Sequence, residues 1–377
     1  MKRILAITGK RGGYEAMLPL LGSLRKSPQI DTAIFCIDQH WMEKFGSTIK
    51  KMGPGQLGCA PIALGDSTRD RCLNLGHYVS EIASHLYIHK PDLLILYGDR
   101  GEVAAAALSA ATLGVPVAHL QAGDITGNVD DIYRGMISQS ANLLFTSCGG
   151  YREDLLRKGH SEERIFVTGD QHLDAVQNRG TMDKKEVCER LGMPERSAIG
   201  IIIVHPDTSE PGGNEVMIDN VLCACTSHSH MQWFAVYPCS DPGHDIIIDA
   251  LHRYSAKVKN LSVHANIQAE VFHNLLFHSE LIVGNSSCGI IEAPFLSTPS
   301  LDIGGRQHGR VRSPSIHWAS GHKYFHINNG VERCIRYDGT YRKDFGDGKA
   351  YIRIGEIILD SLLGHLKWLL EPKMDYE

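Results

Sequence analysis

The chain has 377 residues, 43% hydrophobic and 21% charged, an ordinary globular balance at a length that exceeds one comfortable core and favours two domains. A formal charge of −5 gives no basic field for nucleic acid, so anion binding must be local. The opening apolar run stops at Thr8-Gly9-Lys10-Arg11, too short for a signal h-region, and no segment reaches membrane-spanning length; a cytoplasmic location with the ten cysteines as reduced thiols is expected.

In chain order, residues 4–8, 32–36, 93–97, 115–120, 143–145 and 165–167 read as buried strands. Residues 14–26, 74–89, 103–113, 132–141 and 150–158 between them have helical length and period. This is the βαβ pattern of a parallel sheet covered on both faces. Polar sequence over 169–197, with Asp183-Lys184-Lys185-Glu186 and Met193-Pro194-Glu195-Arg196, interrupts it. A second strand series follows at 199–204, 231–237, 261–264, 281–284 and 300–303, and residues 352–370 form a helix candidate with an apolar stripe. The expectation is an α/β chain of two doubly wound, Rossmann-like domains: 1–170, a linker over 171–197, 198–350, and a C-terminal helix in 351–377.

Cys223-x-Cys225 followed by His228-x-His230 is dense in soft ligands. The spacing matches no usual zinc pattern, and on a helix these side chains diverge. Buried cysteines at a helix end are the expectation, with no metal.

In doubly wound domains ligands bind beyond the carboxyl ends of strands, and polar clusters fall there one after another. Thr8-Gly9-Lys10-Arg11-Gly12-Gly13 follows the first strand, with glycines and two cations but neither a P-loop nor a dinucleotide fingerprint. Gly98-Asp99-Arg100 follows 93–97, where Asp99 suits a helix cap. The stretch from His119 to Arg134 holds Asp124, Asp130 and Asp131; crowded carboxylates repel, raising some pKa values toward those useful for proton transfer. Asp130 and Arg134 lie one helical turn apart, which also suits a capping ion pair. His205 ends the first strand of the second series. Gly284-Asn285-Ser286-Ser287-Cys288-Gly289-Ile290-Ile291-Glu292-Ala293-Pro294 then offers a strand, a hydroxylated turn and a helix over 289–296, whose first N–H groups suit an anion. Glu292 is placed to accept from ribose hydroxyls, and Arg306 and Arg310 carry guanidinium forks suited to diphosphate.

Gly-Asn-Ser-Ser-x-Gly-Ile-Ile-Glu-Ala-Pro and the following Gly-x-Arg-Gln-x-Gly-Arg resemble the hydrolysing UDP-N-acetylglucosamine 2-epimerases of the sialic and legionaminic acid pathways, and the likeness is collinear from Thr8 to Arg310. It implies a GT-B fold, two domains facing a cleft, with a C-terminal helix that often crosses back to the first. It implies a UDP-sugar substrate bound by Arg11, Arg100, His205, Ser286, Ser287, Gly289, Glu292, Arg306 and Arg310, in one site drawing on both domains. The catalytic set it implies is Asp99, Asp124, Asp130, Asp131 and His205, and the protein it implies is a homo-oligomer, dimer or tetramer. Neither redox cofactor nor metal is required, since a base takes the C2 proton while the anomeric bond to UDP breaks, giving a glycal that water then attacks. Several positions depart from the pattern: Glu15 replaces Ser, Asp124 replaces Glu, Gly135 replaces His, Cys239 replaces Asn, and Gly169-Asp170-Gln171 stands where many relatives have Gly-x-Pro. A GT-B glycosyltransferase, or a nucleotide-sugar binder without catalysis, are the alternatives.

Overall fold

The computed structural model describes residues 1–43, 49, 57–63, 67–127, 130–192 and 198–371, with the backbone alone at Arg11. Met193-Pro194-Glu195-Arg196 lies outside them. The chain forms two compact units: Met1–Ile125, Val129–Ala175 and Phe345–Glu377 in unit 1, Thr126–Asn128 and Val176–Asp344 in unit 2.

Unit 1 is built on seven strands: β1 (Lys2–Thr8), β2 (Ile30–Ile37), β3 (Leu57–Cys59), β4 (Leu93–Tyr97), β5 (Val117–Leu120), β6 (Leu143–Thr146) and β7 (Ile165–Val167). They pair in parallel in the order β3-β2-β1-β4-β5-β6-β7. Helices α1 (Arg11–Leu24), α2 (Thr68–His89), α3 (Gly101–Leu113), α4 (Asp130–Ser140), α5 (Gly149–Arg157) and α6 (Gln171–Gln177) connect them. Every residue of β4 is buried, the signature of a strand covered on both faces. Alternation then divides the core. Leu5, Ile7, Leu94 and Leu96 join Tyr78, Ile82, Val103 and Ala106 of α2 and α3. Ile4, Ala6, Leu93 and Ile95 join Ala16, Met17 and Leu20 of α1.

Unit 2 repeats the plan with β8 (Ala198–Ile203), β9 (Met231–Val236), β10 (Leu261–His264), β11 (Leu281–Gly284), β12 (Ser300–Ile303) and β13 (Ile316–Ala319), in the order β10-β9-β8-β11-β12-β13. Its helices are α7 (Lys184–Arg190), α8 (Asn214–Ser227), α9 (His244–Ser255), α10 (Ala269–Phe277), α11 (Cys288–Phe295) and α12 (Tyr324–Ile335). The expected α/β class is thus present twice, each sheet reversing its winding between its first and fourth strands. The stretch 171–197 carries α6 and α7.

A last helix, α13 (Ala350–Leu363), returns to unit 1, where Ile354, Ile358 and Leu362 enter the core layer of α1. Asp174 of α6 caps it, its two oxygens accepting the Ala350 and Tyr351 N–H groups at 2.7 Å each. The continuous helix expected through residue 370 stops at Leu363. Gly364, at φ −112° and ψ −141°, lets the backbone leave the helix, and a short 3₁₀ turn, Lys367–Leu370, follows. No helix among the described residues is long and apolar enough to cross a membrane. All ten cysteines are free thiols. Cys225 is buried while Cys223, two residues earlier on α8, is exposed, so the thiols of that motif do not converge.

Candidate active site

In unit 1 the carboxylates gather around one arginine. Arg134 of α4 is 2% exposed. Its Nη2 bonds Asp99, which follows β4, and its Nη1 bonds Asp131 at 3.3 Å and the Asp124 carbonyl at 2.5 Å. A planar guanidinium with a fixed fork suits three such partners at once. Asp99 is therefore not the cap of α3: the capping residue is Arg100, with no side-chain bond to the helix. Likewise Arg134 bonds Asp99 and Asp131, a wider role than a local cap shared with Asp130, which opens α4. Asp124 is 2% exposed and follows Gly123, at φ +80°, where a Cβ would lie 2.8 Å from the Tyr151 carbonyl oxygen, leaving no room for a side chain. At Gly135 an added Cβ would meet nothing within 4 Å, so the missing histidine leaves open space.

The loop after β1 is shorter than its glycines suggest. α1 begins at Arg11, so Gly12 and Gly13 lie in its first turn; the Arg11 side chain lies outside what the structure describes. Arg100 donates from Nε to Glu102 at 2.8 Å, and its Nη2 is 3.7 Å from Asp38. Its charge is thus matched within unit 1.

His119, at the end of β5, is fully buried, with Nε2 2.8 Å from the Gly98 carbonyl and Nδ1 3.0 Å from Ser138 Oγ. Burial pushes its pKa down to about 3 from 6.5, outweighing the Gly98 bond, and Arg134 pushes the same way. A depressed histidine contributes stability that is complete above the unfolded pKa and is lost as pH falls through the window to about 3. Asp174 works in the opposite sense: burial raises it to about 7 from 3.8 against its two backbone bonds, so its contribution is present below 3.8 and fades as pH rises to about 7. The two overlap, and only variants separate them. Urea unfolding at pH 7 and pH 5 should show the stability advantage of wild type over His119→Gln shrinking by about 2 kcal/mol at the lower pH; an unchanged difference would mean the ring titrates normally.

In unit 2 the residues around the winding reversal form a closed polar ring. Gly284 ends β11 at φ +146°, where a Cβ would lie 1.8 Å from the Ile203 carbonyl oxygen, so only glycine lets β11 approach β8 here. Asn285 then clamps His205 across the two strand ends, accepting the His205 N–H at 2.7 Å and donating to its carbonyl at 2.8 Å. His205 Nδ1 accepts the Cys239 N–H at 3.0 Å, which places the proton of the neutral ring on Nε2. Cys239 Sγ donates to Asp241 Oδ2 at 3.0 Å, and Arg306 reaches the same oxygen and the Asn285 carbonyl at 3.4 Å each. Gln307 donates to the Asn285 carbonyl at 3.1 Å and accepts from Arg310 Nε at 2.8 Å. His205, Arg306 and Arg310 are therefore brought together with Ser286 and Ser287, which lead into α11. The helix opens at Cys288, one residue before the expected start, so Gly289 lies within its first turn. Ser287 precedes it in helical conformation without a side-chain cap, leaving its hydroxyl out of the cap. Glu292 is buried one turn further, 3.9 Å from His273 Nε2; burial and then this carboxylate push the Cys288 thiol up.

Sequence reasoning overlooked Asn285 and Gln307 as the residues that position the others, and Ser147 and Asp170 beside Asp124. Asn285 and Gln307 stood inside quoted motifs and Asp170 at a departure from one; Ser147 carried no motif at all.

Two such parallel-sheet units, one with buried carboxylates on an arginine and one with arginines near a helix start, define a doubly wound α/β protein. Residues 22–359 match the family described as UDP-N-acetylglucosamine 2-epimerase, and the chain belongs to it. It is 28% identical to the UDP-N,N'-diacetylbacillosamine 2-epimerase (hydrolyzing) of Legionella pneumophila, over 95% of this chain and 96% of that one. Identity is also 28% to the UDP-N-acetylglucosamine 2-epimerase of Neisseria meningitidis, over 84% and 83%. The crystal structure of the Neisseria meningitidis UDP-GlcNAc 2-epimerase bound to UDP-GlcNAc shares the fold with a TM-score of 0.80 at 20% identity, covering 95% of this chain and 100% of that one. The S. aureus MnaA-UDP co-structure does so at 0.78 and 18%, covering 99% of each.

Proposed function

We propose that the protein is a hydrolysing 2-epimerase of a UDP-N-acetylglucosamine-type sugar, releasing UDP and the free 2-epimer, N-acetylmannosamine or a 2,4-diacetamido-6-deoxy analogue, for nonulosonic acid synthesis. The observation that carries this reading is the gathering of Asp99, Asp131 and the Asp124 backbone on the buried Arg134. A binding protein or a transferase has little use for so many carboxylates held at strand ends. Asp99, Asp124, Asp130 and Asp131 supply the acid and base groups that take the C2 proton and return it to the opposite face. His205, a neutral donor at Nε2, with Ser286, Ser287, Gly289 and Arg306, stabilises the departing diphosphate. Arg11, Arg100 and Arg310 add charge, and Glu292 takes the ribose. The activities for which the Legionella and Neisseria relatives are named support the chemistry and leave both sugars as candidates.

Incubation with UDP-N-acetylglucosamine and its 2,4-diacetamido analogue in D2O, followed by NMR, tests the reading. The expected products are UDP and a 2-epimer deuterated at C2. Unepimerised free sugar would favour a transferase, and binding without turnover would favour a binder that has lost catalysis. Arg306→Ala should weaken UDP binding by about 1.5–3 kcal/mol through the loss of a charge-assisted bond; calorimetry showing unchanged affinity in the folded variant would remove Arg306 from the site. The free thiols suit a cytoplasmic setting. Exposed Tyr87, Ile88, Leu108 and Met136 on α2, α3 and α4 support a homo-oligomer, which light scattering would detect.

A further inference from the structure

Asp170 is a buried carboxylate that this chemistry does not use. It follows β7, is 1% exposed, and accepts Gln121 Nε2 at 2.7 Å and the His172 N–H at 2.9 Å, with His172 Nδ1 3.0 Å away. Burial acts to raise its pKa, but the His172 ring, the two His172 bonds and Gln121 outweigh that and hold the carboxyl at about 2. It is therefore an anion at neutral pH. Ser147 Oγ lies 3.2 Å from Asp170 Oδ2 and 3.0 Å from Asp124 Oδ1, and both Ser147 and Asp124 are 2% exposed.

A serine hydroxyl carries one proton and cannot donate to two anions at once. With both carboxylates ionised, one contact lacks a proton in a site with almost no access to water, which is costly. With a proton on Asp124 the conflict is gone: Asp124 O–H donates to Ser147 Oγ, and Ser147 O–H donates to Asp170.

We propose that Ser147 and Asp170 are positioning residues that let Asp124 take up and give up a proton, the Ser147 hydroxyl pointing to Asp124 while it is ionised and turning to Asp170 when it is protonated. The proposal rests on the reading of Asp124 as one of the acid/base groups. When Asp124 takes the proton, the C2–H bond breaks and an O–H bond forms on Asp124. The electron pair left on C2 becomes the C1–C2 double bond as the anomeric oxygen departs with UDP. Ser147 only rotates, and neither it nor Asp170 gains or loses a proton. Another carboxylate of the set protonates the opposite face of C2, and when Asp124 gives up its own proton to water Ser147 turns back. The charged groups facing the pair are Arg134 with Asp99 and Asp131 on the Asp124 side, and His172, Asp174 and Arg353 around Asp170.

The test measures UDP release and C2 deuterium incorporation across pH for the full chain, with UDP-N-acetylglucosamine and its 2,4-diacetamido analogue as probes. Ser147→Ala should lower kcat roughly tenfold or more with KM within about twofold, and Ser147→Thr, which keeps the hydroxyl, should recover most of the loss. In Asp170→Asn the amide donates to Ser147 Oγ, so Ser147 gives its proton to Asp124 permanently, and the acid limb of kcat should move to lower pH. Ser147→Ala with wild-type kcat and pH profile overturns the proposal, as does a Ser147→Thr no better than Ser147→Ala. Asp124→Asn separates the levels: if it is inactive while Ser147→Ala is unimpaired, only the Ser147–Asp170 assignment falls. If Asp124→Asn is fully active, or wild type turns over neither probe, the acid/base reading falls and takes this proposal with it.

Discussion

Arg134→Met is expected to cost about 3–5 kcal/mol of stability, the range for removing one partner of a buried ion pair. Methionine nearly matches the arginine stem, so packing changes little, and the cost comes from what is left behind. Asp99, 7% exposed, would keep its charge without its partner, and the Asp124 carbonyl would lose its 2.5 Å donor. Arg134→Lys should fall in between, because a single ammonium cannot span Asp99, Asp131 and the Asp124 carbonyl together. Urea unfolding at neutral pH measures both. A loss under about 1 kcal/mol for Arg134→Met would show that water reaches this cluster and screens it.

Asp99→Asn should lower turnover at least about a hundredfold while UDP affinity stays within about twofold. The substitution keeps the volume and removes the ability to accept a proton. It also weakens the pairing with Arg134, so the measurement belongs well below the variant's unfolding midpoint, where a stability loss cannot pass for a catalytic one. Near-normal turnover in a folded Asp99→Asn protein would reduce Asp99 to the partner of Arg134 and shift the proton chemistry to Asp124, Asp130 and Asp131.

The strands most legible in the sequence are those covered on both faces, such as Leu93–Tyr97, where nothing but apolar residues fits, although the edge strands Ile165–Val167 and Leu261–His264 are legible too. The two it hides, Leu57–Cys59 and Ile316–Ala319, are sheet edges of three and four residues. Gly58 breaks the apolar run in one, and exposed Trp318 with His317 breaks it in the other. The apolar stripe that runs on through Leu366, Leu369 and Leu370 conceals the stop at Gly364. For the site, position was legible and pairing was not. Asp99, His205 and Ser286 announce themselves by following strands, yet that Asp99 meets Arg134, 35 residues on, depends on β4 and β5 being neighbours. Ser147 and Asp170 follow strands too, but one serine and one aspartate among many give no pattern to notice, and only the adjacency of β5, β6 and β7 joins them to Asp124.

The return of α13 to unit 1 bears on how the chain is made. On the ribosome the sheet of unit 1 emerges before that of unit 2, but the layer holding Ala16, Met17 and Leu20 also needs Ile354, Ile358 and Leu362, which are translated after Val176–Asp344. Apart from Thr126–Asn128, the segment Val176–Asp344 of unit 2 is continuous, so its own sheet is fully synthesised before the earlier one can close. The domain begun first is completed last, and its nascent form holds an uncovered apolar face through the whole synthesis of the other, which is the interval in which a chaperone has something to bind.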